Sequence, residues 1–392
     1  MAERHVDVLL IGGGIAAGNC ARHLREEGFE GSVALVGREP DPPYNRPPCS
    51  KKYLTGETSR EDALFRPAQW WVDNDVELLT ATSVMKLDAQ ARVAGLSTRE
   101  EVSFSQALLA TGANVRLLRV DGAQLEGIHY LRAFGNSDAI RADARGASRA
   151  VVIGGSYIAT EVAASLTVLG LQVTILMQEG VTHERSFGPT AAAFFQRVLE
   201  EHGVEVFGDD GVARYEGTDG RVTRVVSDNG RELECDLVVV GAGAVPDTML
   251  AKRAGLELGE RGGVRCSARL ETSAPGIYAA GDMCEYESPI HGGPVRIEHW
   301  DVAFNQGRTA ALNLHGRGVD HTVVPYFFSD LADWASLEYV GPAYEWDAEE
   351  VLGSPGDGEF AIRYLRDGRL AACLSVGRSD DLEAAKEELA SS

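Results

Sequence analysis

The sequence predicts an α/β fold: two doubly wound, Rossmann-like dinucleotide-binding domains followed by a small α+β domain. Three observations lead there. A βαβ pattern with a glycine-rich turn occurs twice, each copy ends in a second apolar strand with an acid just after it, and the tail of the chain switches to a different pattern of strands and one polar helix.

The first copy, VDVLLIGGGIAAGNCARHLREEGFEGSVALVGRE, covers residues 6–39. In such a unit Gly12 permits the tight turn, Gly14 lets the backbone approach a pyrophosphate, and the small Ala17 lets helix pack on strand. The helix N-terminus then faces the anion. The second copy, AVVIGGSYIATEVAASLTVLGLQVTILMQE, covers residues 150–179. Gly154 and Ala159 take the outer roles, Gly155 follows in the turn, and Ser156 stands where the middle glycine would be, its hydroxyl offering a donor instead. Further apolar strands run into glycine turns at ALLATGA, which holds Ala110, Thr111 and Gly112, and at DLVVVGAGAVPD, which holds Gly243. These read as crossings between domains. TSAPGIYAAGD reads as a buried strand ending on the carboxylate of Asp282. From about residue 321 onward, VVPYFFSDL, FAIRYLRDGRLAACLSVG and DDLEAAKEEL read as the small closing domain.

Composition narrows the function. With 392 residues the chain is long enough for two or three domains. Its hydrophobic content is 44%, and the apolar run near the N-terminus is too short, and too soon broken by glycine, for a signal peptide or membrane span. A cytoplasmic protein is the expectation. The 37 basic and 59 acidic residues give a formal charge of −22, which repels nucleic acid and anionic membranes, so neither is expected as a partner. Six scattered cysteines form no CxxC pair and no His/Cys cluster at metal-ligand spacing; no metal is expected.

Taken in order, GGGIAAG, PYNRPPCSKKYL, LLATGA, GGSYIATE, VVVGAGAVPD, TSAPGIYAAGD, EHWDVAFNQG and VPYFFSDL resemble the NADH-dependent ferredoxin and rubredoxin reductase family of FAD proteins. That family includes putidaredoxin reductase and, more distantly, apoptosis-inducing factor. The resemblance spans essentially the whole chain. It implies a glutathione-reductase-like architecture, with FAD on residues 1–114 and 243–320, NAD on residues 115–242, and a C-terminal domain from residue 321 to 392.

The resemblance also assigns roles. Arg46 lies near the FAD phosphate and ribose, and Lys51 lies beside the isoalloxazine ring, paired with Glu161 of the second nucleotide-binding helix. Pro47 and Pro48 hold that segment without help from secondary structure. Asp282 accepts from the ribityl hydroxyls, with a helix N-cap as its plainer alternative. Glu298, His299 and Trp300 precede a helix by the flavin, where Lys51, Glu161 and Trp300 are the catalytic candidates. Phe327 and Phe328 pack over the ring, and Tyr157 and Ile158 join the NAD turn.

Two positions depart from the family pattern. Cys49 replaces a leucine, near where related oxidases and disulfide reductases carry a redox cysteine; an inert thiol is the favoured reading. Arg38 stands where an acid is usual, which leaves Glu39 for the FAD adenosine ribose. Glu179, after the second strand of the NAD unit, favours NADH over NADPH, although Arg185 lies close by. The implied activity is hydride transfer from NADH to FAD, then electron transfer to a ferredoxin or rubredoxin. The alternatives are an NADH-dependent reductase or oxidase of a small molecule (oxygen, a disulfide or a quinone) and an NADH-responsive regulatory flavoprotein. A monomer or homodimer fits either class.

Overall fold

The computed structural model describes residues 4–341 and 343–391. The first βαβ unit forms from the strand Arg4–Ile11, the helix Ile15–Glu26 and the strand Val33–Val36, which pairs parallel to the first strand. Val33–Val36 and the C-terminal half of the first strand, from Val8 to Ile11, are buried, as near-continuous apolar runs at the centre of a parallel sheet must be. Val76–Leu79 extends this sheet on one side. On the other side Glu101–Leu109 is shared: its N-terminal half pairs antiparallel with Val93–Leu96, and its C-terminal half pairs parallel with Ile277–Ala279. The chain thus leaves this sheet and returns to it after a long excursion.

The excursion is the second unit. Its five strands are all parallel, in the spatial order Glu205–Phe207, Gln172–Leu176, Arg149–Ile153, Leu237–Val240 and Ile128–Tyr130. A three-stranded antiparallel meander, Val212–Thr218, Arg221–Ser227 and Glu232–Glu234, packs beside it. The outgoing and incoming crossings zip together as a short antiparallel pair, Ala113–Val115 with Ala244–Pro246. The tail is a five-stranded antiparallel sheet in the order Tyr326–Leu331, Ala335–Val340, Arg369–Val376, Glu359–Arg366 and Ala348–Ser354, backed by the helix Ser379–Ser391.

Steric necessity fixes both glycine turns. Gly12 has φ +128°, and a Cβ there would lie 2.1 Å from the carbonyl oxygen of Ala110. Gly154 repeats the arrangement at φ +109°, 2.4 Å from the carbonyl oxygen of Gly241. Close approach and left-handed geometry together leave room only for hydrogen. The helix Trp300–Leu314 packs across the first unit so tightly that a Cβ on Gly307 would lie 2.3 Å from the Ala16 oxygen, and Asn19 Nδ2 donates to the Phe304 carbonyl at 2.6 Å.

The proline segment differs from expectation. Residues Pro47–Ser50 form a 3₁₀ turn, continued by one helical turn, Lys52–Thr55. Proline at the first helical positions has its φ preset and lacks a donor that would have no partner there, so the prolines initiate a turn here and do not merely stiffen a loop.

Candidate functional site

The C-terminal ends of the parallel strands in both units open on one cavity of about 690 Å³. That is where an open α/β sheet binds ligands. Gly12, Gly14, Ala110, Thr111 and Gly112 meet its wall from the first unit, and Ser156, Tyr157, Ile158, Glu161 and Gly243 meet it from the second. Glu39, Arg46, Lys51, Asp282, Glu298, His299, Trp300, Phe327 and Phe328 complete the set. Ala17, Gly154, Gly155 and Glu179 stand off the wall. Ala17 is wholly buried against the sheet, and a Cβ on Gly155 would strike the Met177 sulfur at 2.3 Å, so both serve packing.

Lys51 and Glu161 form the centre of this arrangement. Lys51 Nζ lies 2.7 Å from Glu161 Oε1, with both side chains largely buried. A buried carboxylate is costly unless its charge and lone pairs are satisfied. Glu161 meets that requirement with two further donors, Ser329 Oγ to Oε1 at 2.6 Å and Ser50 Oγ to Oε2 at 2.5 Å. Ser165 Oγ, one turn along the Glu161 helix, donates to the Ser50 carbonyl at 2.7 Å and clamps the lysine segment to that helix. The lysine ammonium also sits 5.7 Å from the centroid of the Phe328 ring, within cation–π range.

Asp282 lies at the mouth of the first turn, and no helix follows it, so it caps none. Its Oδ2 accepts instead from Arg132 Nη2 at 2.8 Å. Glu39 is gripped by Tyr44 Oη at 2.6 Å and by Arg46 Nη2 at 2.5 Å, while Arg46 Nη1 donates to the Arg132 carbonyl. Arg38 points another way, donating to Asn114 Oδ1 at 2.9 Å and pairing with Asp247 at 3.4 Å.

An aromatic wall faces this polar set. His299 stacks on Phe327 at 4.1 Å and 13°, and Tyr157 meets Phe327 edge-on at 5.0 Å. Burial pushes the His299 imidazole down to about 4, so the ring is neutral near pH 7. Trp300 is half-buried, donates from Nε1 to Asn45 Oδ1 at 3.2 Å and stacks on Phe304. Cys49 is buried, and desolvation pushes its thiol up to about 12, which keeps it protonated and unreactive. Glu179 pairs with the exposed Arg185 at 3.2 Å.

The residues fit FAD in the first unit. The helix Ile15–Glu26 has no side-chain cap at its N-terminus, and a Cβ on its N-cap, Gly14, would meet nothing within 4 Å, so the turn is open for a diphosphate. Sequence reasoning passed over Arg132, Ser50 and Ser329. Ser50 and Ser329 lie inside motifs whose neighbouring residues carry the family signature, and Arg132 lies in no motif.

The pyridine nucleotide-disulphide oxidoreductase family model matches residues 6–307. The chain belongs to this family. As a member it is an oxidoreductase that works with FAD and NAD(H). It is 35% identical over 385 residues to rhodocoxin reductase of Rhodococcus erythropolis, covering 98% of this chain and 90% of that one. It is 31% identical to a rubredoxin-NAD(+) reductase of Pseudomonas putida, covering 94% and 95% of the two chains. The crystal structure of the covalent putidaredoxin reductase–putidaredoxin complex superposes with a TM-score of 0.94 at 30% identity, over 100% of this chain and 94% of that one. Among the described residues of this oxidoreductase, no helix is long and apolar enough to cross a membrane, and no cluster of His, Cys, Asp and Glu is arranged to hold a metal.

Proposed function

We propose that this oxidoreductase takes hydride from NADH and delivers electrons to a ferredoxin- or rubredoxin-type protein. Residues 1–114 and 243–320 then hold FAD, 115–242 hold NADH, and 321–392 close the site; the sheet memberships above support that division. FAD supplies the conversion between a two-electron donor and a one-electron acceptor. The chain supplies orientation. Lys51, held by Glu161, presents a fixed positive charge to the cavity, and Phe327 with His299 offers a flat, neutral wall against which a planar ring system can be aligned.

The near full-length likeness to rhodocoxin reductase and rubredoxin-NAD(+) reductase carries the choice of acceptor, and the state of Cys49 weighs against a competing thiol route. Among the described residues Cys49 is the one cysteine on the cavity wall, and its thiol is protonated. Electrons therefore have no thiol relay on the cavity wall, which weighs against disulfide reduction. An acidic acceptor meets this chain of charge −22 against long-range repulsion, so docking is weak and salt-tolerant. A cytoplasmic location accords with this chemistry.

The test is NADH-dependent reduction of added ferredoxins and rubredoxins at rising ionic strength. Rapid reduction that persists with salt supports the reading. If all of them fail while oxygen, a quinone or a disulfide is reduced rapidly, a small-molecule reductase replaces it.

A further inference from the structure

Glu161 receives its donors from two separate parts of the chain, and the second is the informative one. Lys51 and Ser50 belong to the same proline-initiated turn, and Ser165, which clamps that turn, belongs to the same helix as Glu161. Together these four groups fix the lysine segment against the nucleotide-binding helix. None of these hydrogen bonds reaches the aromatic wall opposite, although Lys51 lies within cation–π range of Phe328. That of Ser329 does. It lies on the edge strand Tyr326–Leu331, whose alternation turns Phe327, Ser329 and Leu331 inward, 7%, 3% and 2% exposed, and leaves Phe328 outward at 37%. Its Oγ reaches the same carboxylate oxygen, Oε1, that pairs with Lys51.

We infer that Ser329 is a positioning residue, which sets the Glu161 carboxylate, and through it the Lys51 ammonium, at a defined place relative to Phe327 and His299. The lysine stem is long and flexible, so its charge goes where the carboxylate goes. Without Ser329, the carboxylate keeps its cation and one hydroxyl but, among the described residues, loses its hydrogen bond to the C-terminal sheet. The inference rests on the reading of Lys51 and Glu161 as the orienting pair.

The experiment is a double-mutant cycle on the FAD-loaded protein, with Ser329→Ala, Glu161→Gln and their combination, read by stopped-flow flavin reduction across NADH concentrations. Ser336→Ala serves as control: that hydroxyl is on the neighbouring strand and donates to Asp330, away from Glu161. FAD affinity is read separately by fluorescence titration of the apoprotein. Ser329→Ala is expected to bind FAD as wild type does, to keep the NADH half-saturation, and to lower the limiting reduction rate by about tenfold or more, as loss of a hydrogen bond to a charged group does. The combined variant is expected to be no slower than Glu161→Gln, because Ser329 acts through Glu161. Ser336→Ala is expected to be unchanged.

A slow Glu161→Gln beside a wild-type Ser329→Ala overturns this inference alone. So does a combined variant whose loss is the product of the two single losses, or a Ser329→Ala that loses FAD but reduces normally once FAD is restored. Wild-type rates in both single variants overturn the reading of the pair and this inference with it. If Ser329→Ala does not fold, Ser329→Cys, which keeps the volume with only a weak donor, is read against the same outcomes.

Discussion

Arg132 Nη2 donates to Asp282 Oδ2 at 2.8 Å, so a residue just past the edge strand Ile128–Tyr130 of the second unit is joined to the strand end where the chain has returned to the first sheet. The arginine backbone is held in turn by Arg46 of the proline segment. This ties together the three pieces of chain that surround the open N-terminus of the first helix.

Asp282→Asn and Arg132→Ala should therefore weaken FAD binding while the protein still folds. Removing one partner of a charged hydrogen bond costs about 1.5–3 kcal/mol, or a tenfold to roughly hundredfold rise in Kd. Fluorescence titration of each apoprotein measures it. FAD affinity at the wild-type level in both variants would remove Asp282 from the cofactor site.

Lys51→Ala and Glu161→Ala should keep the yellow cofactor and slow its reduction by NADH, by about 10²–10³ if the pair supplies preorganised electrostatics. Stopped-flow reduction at wild-type rates in both would refute that role.

Cys49→Ser should leave acceptor reduction largely intact, because a thiol pushed up to about 12 by burial contributes no thiolate at neutral pH. Alkylation of the native protein at pH 8 should likewise leave Cys49 unmodified. Loss of activity in either experiment would put thiol chemistry back at the site.

The pairing of Glu179 with Arg185 bears on nucleotide choice. Glu179→Ala should shift preference towards NADPH, by freeing an arginine for the 2′-phosphate and removing a repelling carboxylate. Arg185→Ala should sharpen the preference for NADH. Catalytic efficiencies with both nucleotides decide; a wild-type preference for NADPH would contradict the assignment.

Acid should destabilise the fold before its carboxylates titrate. Burial pushes both His183 and His321 down to about 4 from an ordinary 6.5, and each ring nitrogen with a partner is met by a threonine hydroxyl and not by a charge. Between those values the unfolded chain binds protons that the folded one refuses, so stability is intact above about pH 6.5 and is lost as pH falls towards 4. Each group contributes at most about 3 kcal/mol. The thermal midpoint should drop between pH 7 and pH 5, and His183→Gln or His321→Gln should flatten that drop.

Both nucleotide turns were legible because their physics is local: Gly12 and Gly154 are demanded by a turn and a neighbouring backbone, and short spacing records that. Glu161 and Lys51 were legible through motifs. Their partners were not. Ser329 lies 168 residues from the carboxylate it serves and Arg132 lies 150 from Asp282, and no periodicity encodes such a meeting. The alternation within Tyr326–Leu331 signals that Ser329 points inward, yet it says nothing of what awaits it there. The 3₁₀ turn at Pro47–Ser50 was missed for a different reason: proline was read as a stiffener when its position made it an initiator.

The donor set of Glu161 has a consequence for how the molecule is made. During synthesis both glycine turns, the lysine segment and the helix carrying Glu161 emerge and can fold well before the strand Tyr326–Leu331 leaves the ribosome. Until then the carboxylate has its cation but lacks the hydroxyl that registers it against the opposite wall. A nascent chain can thus own two finished nucleotide turns and still be poor at using them together, so the later-translated strand Tyr326–Leu331 acts as the step that commissions the site.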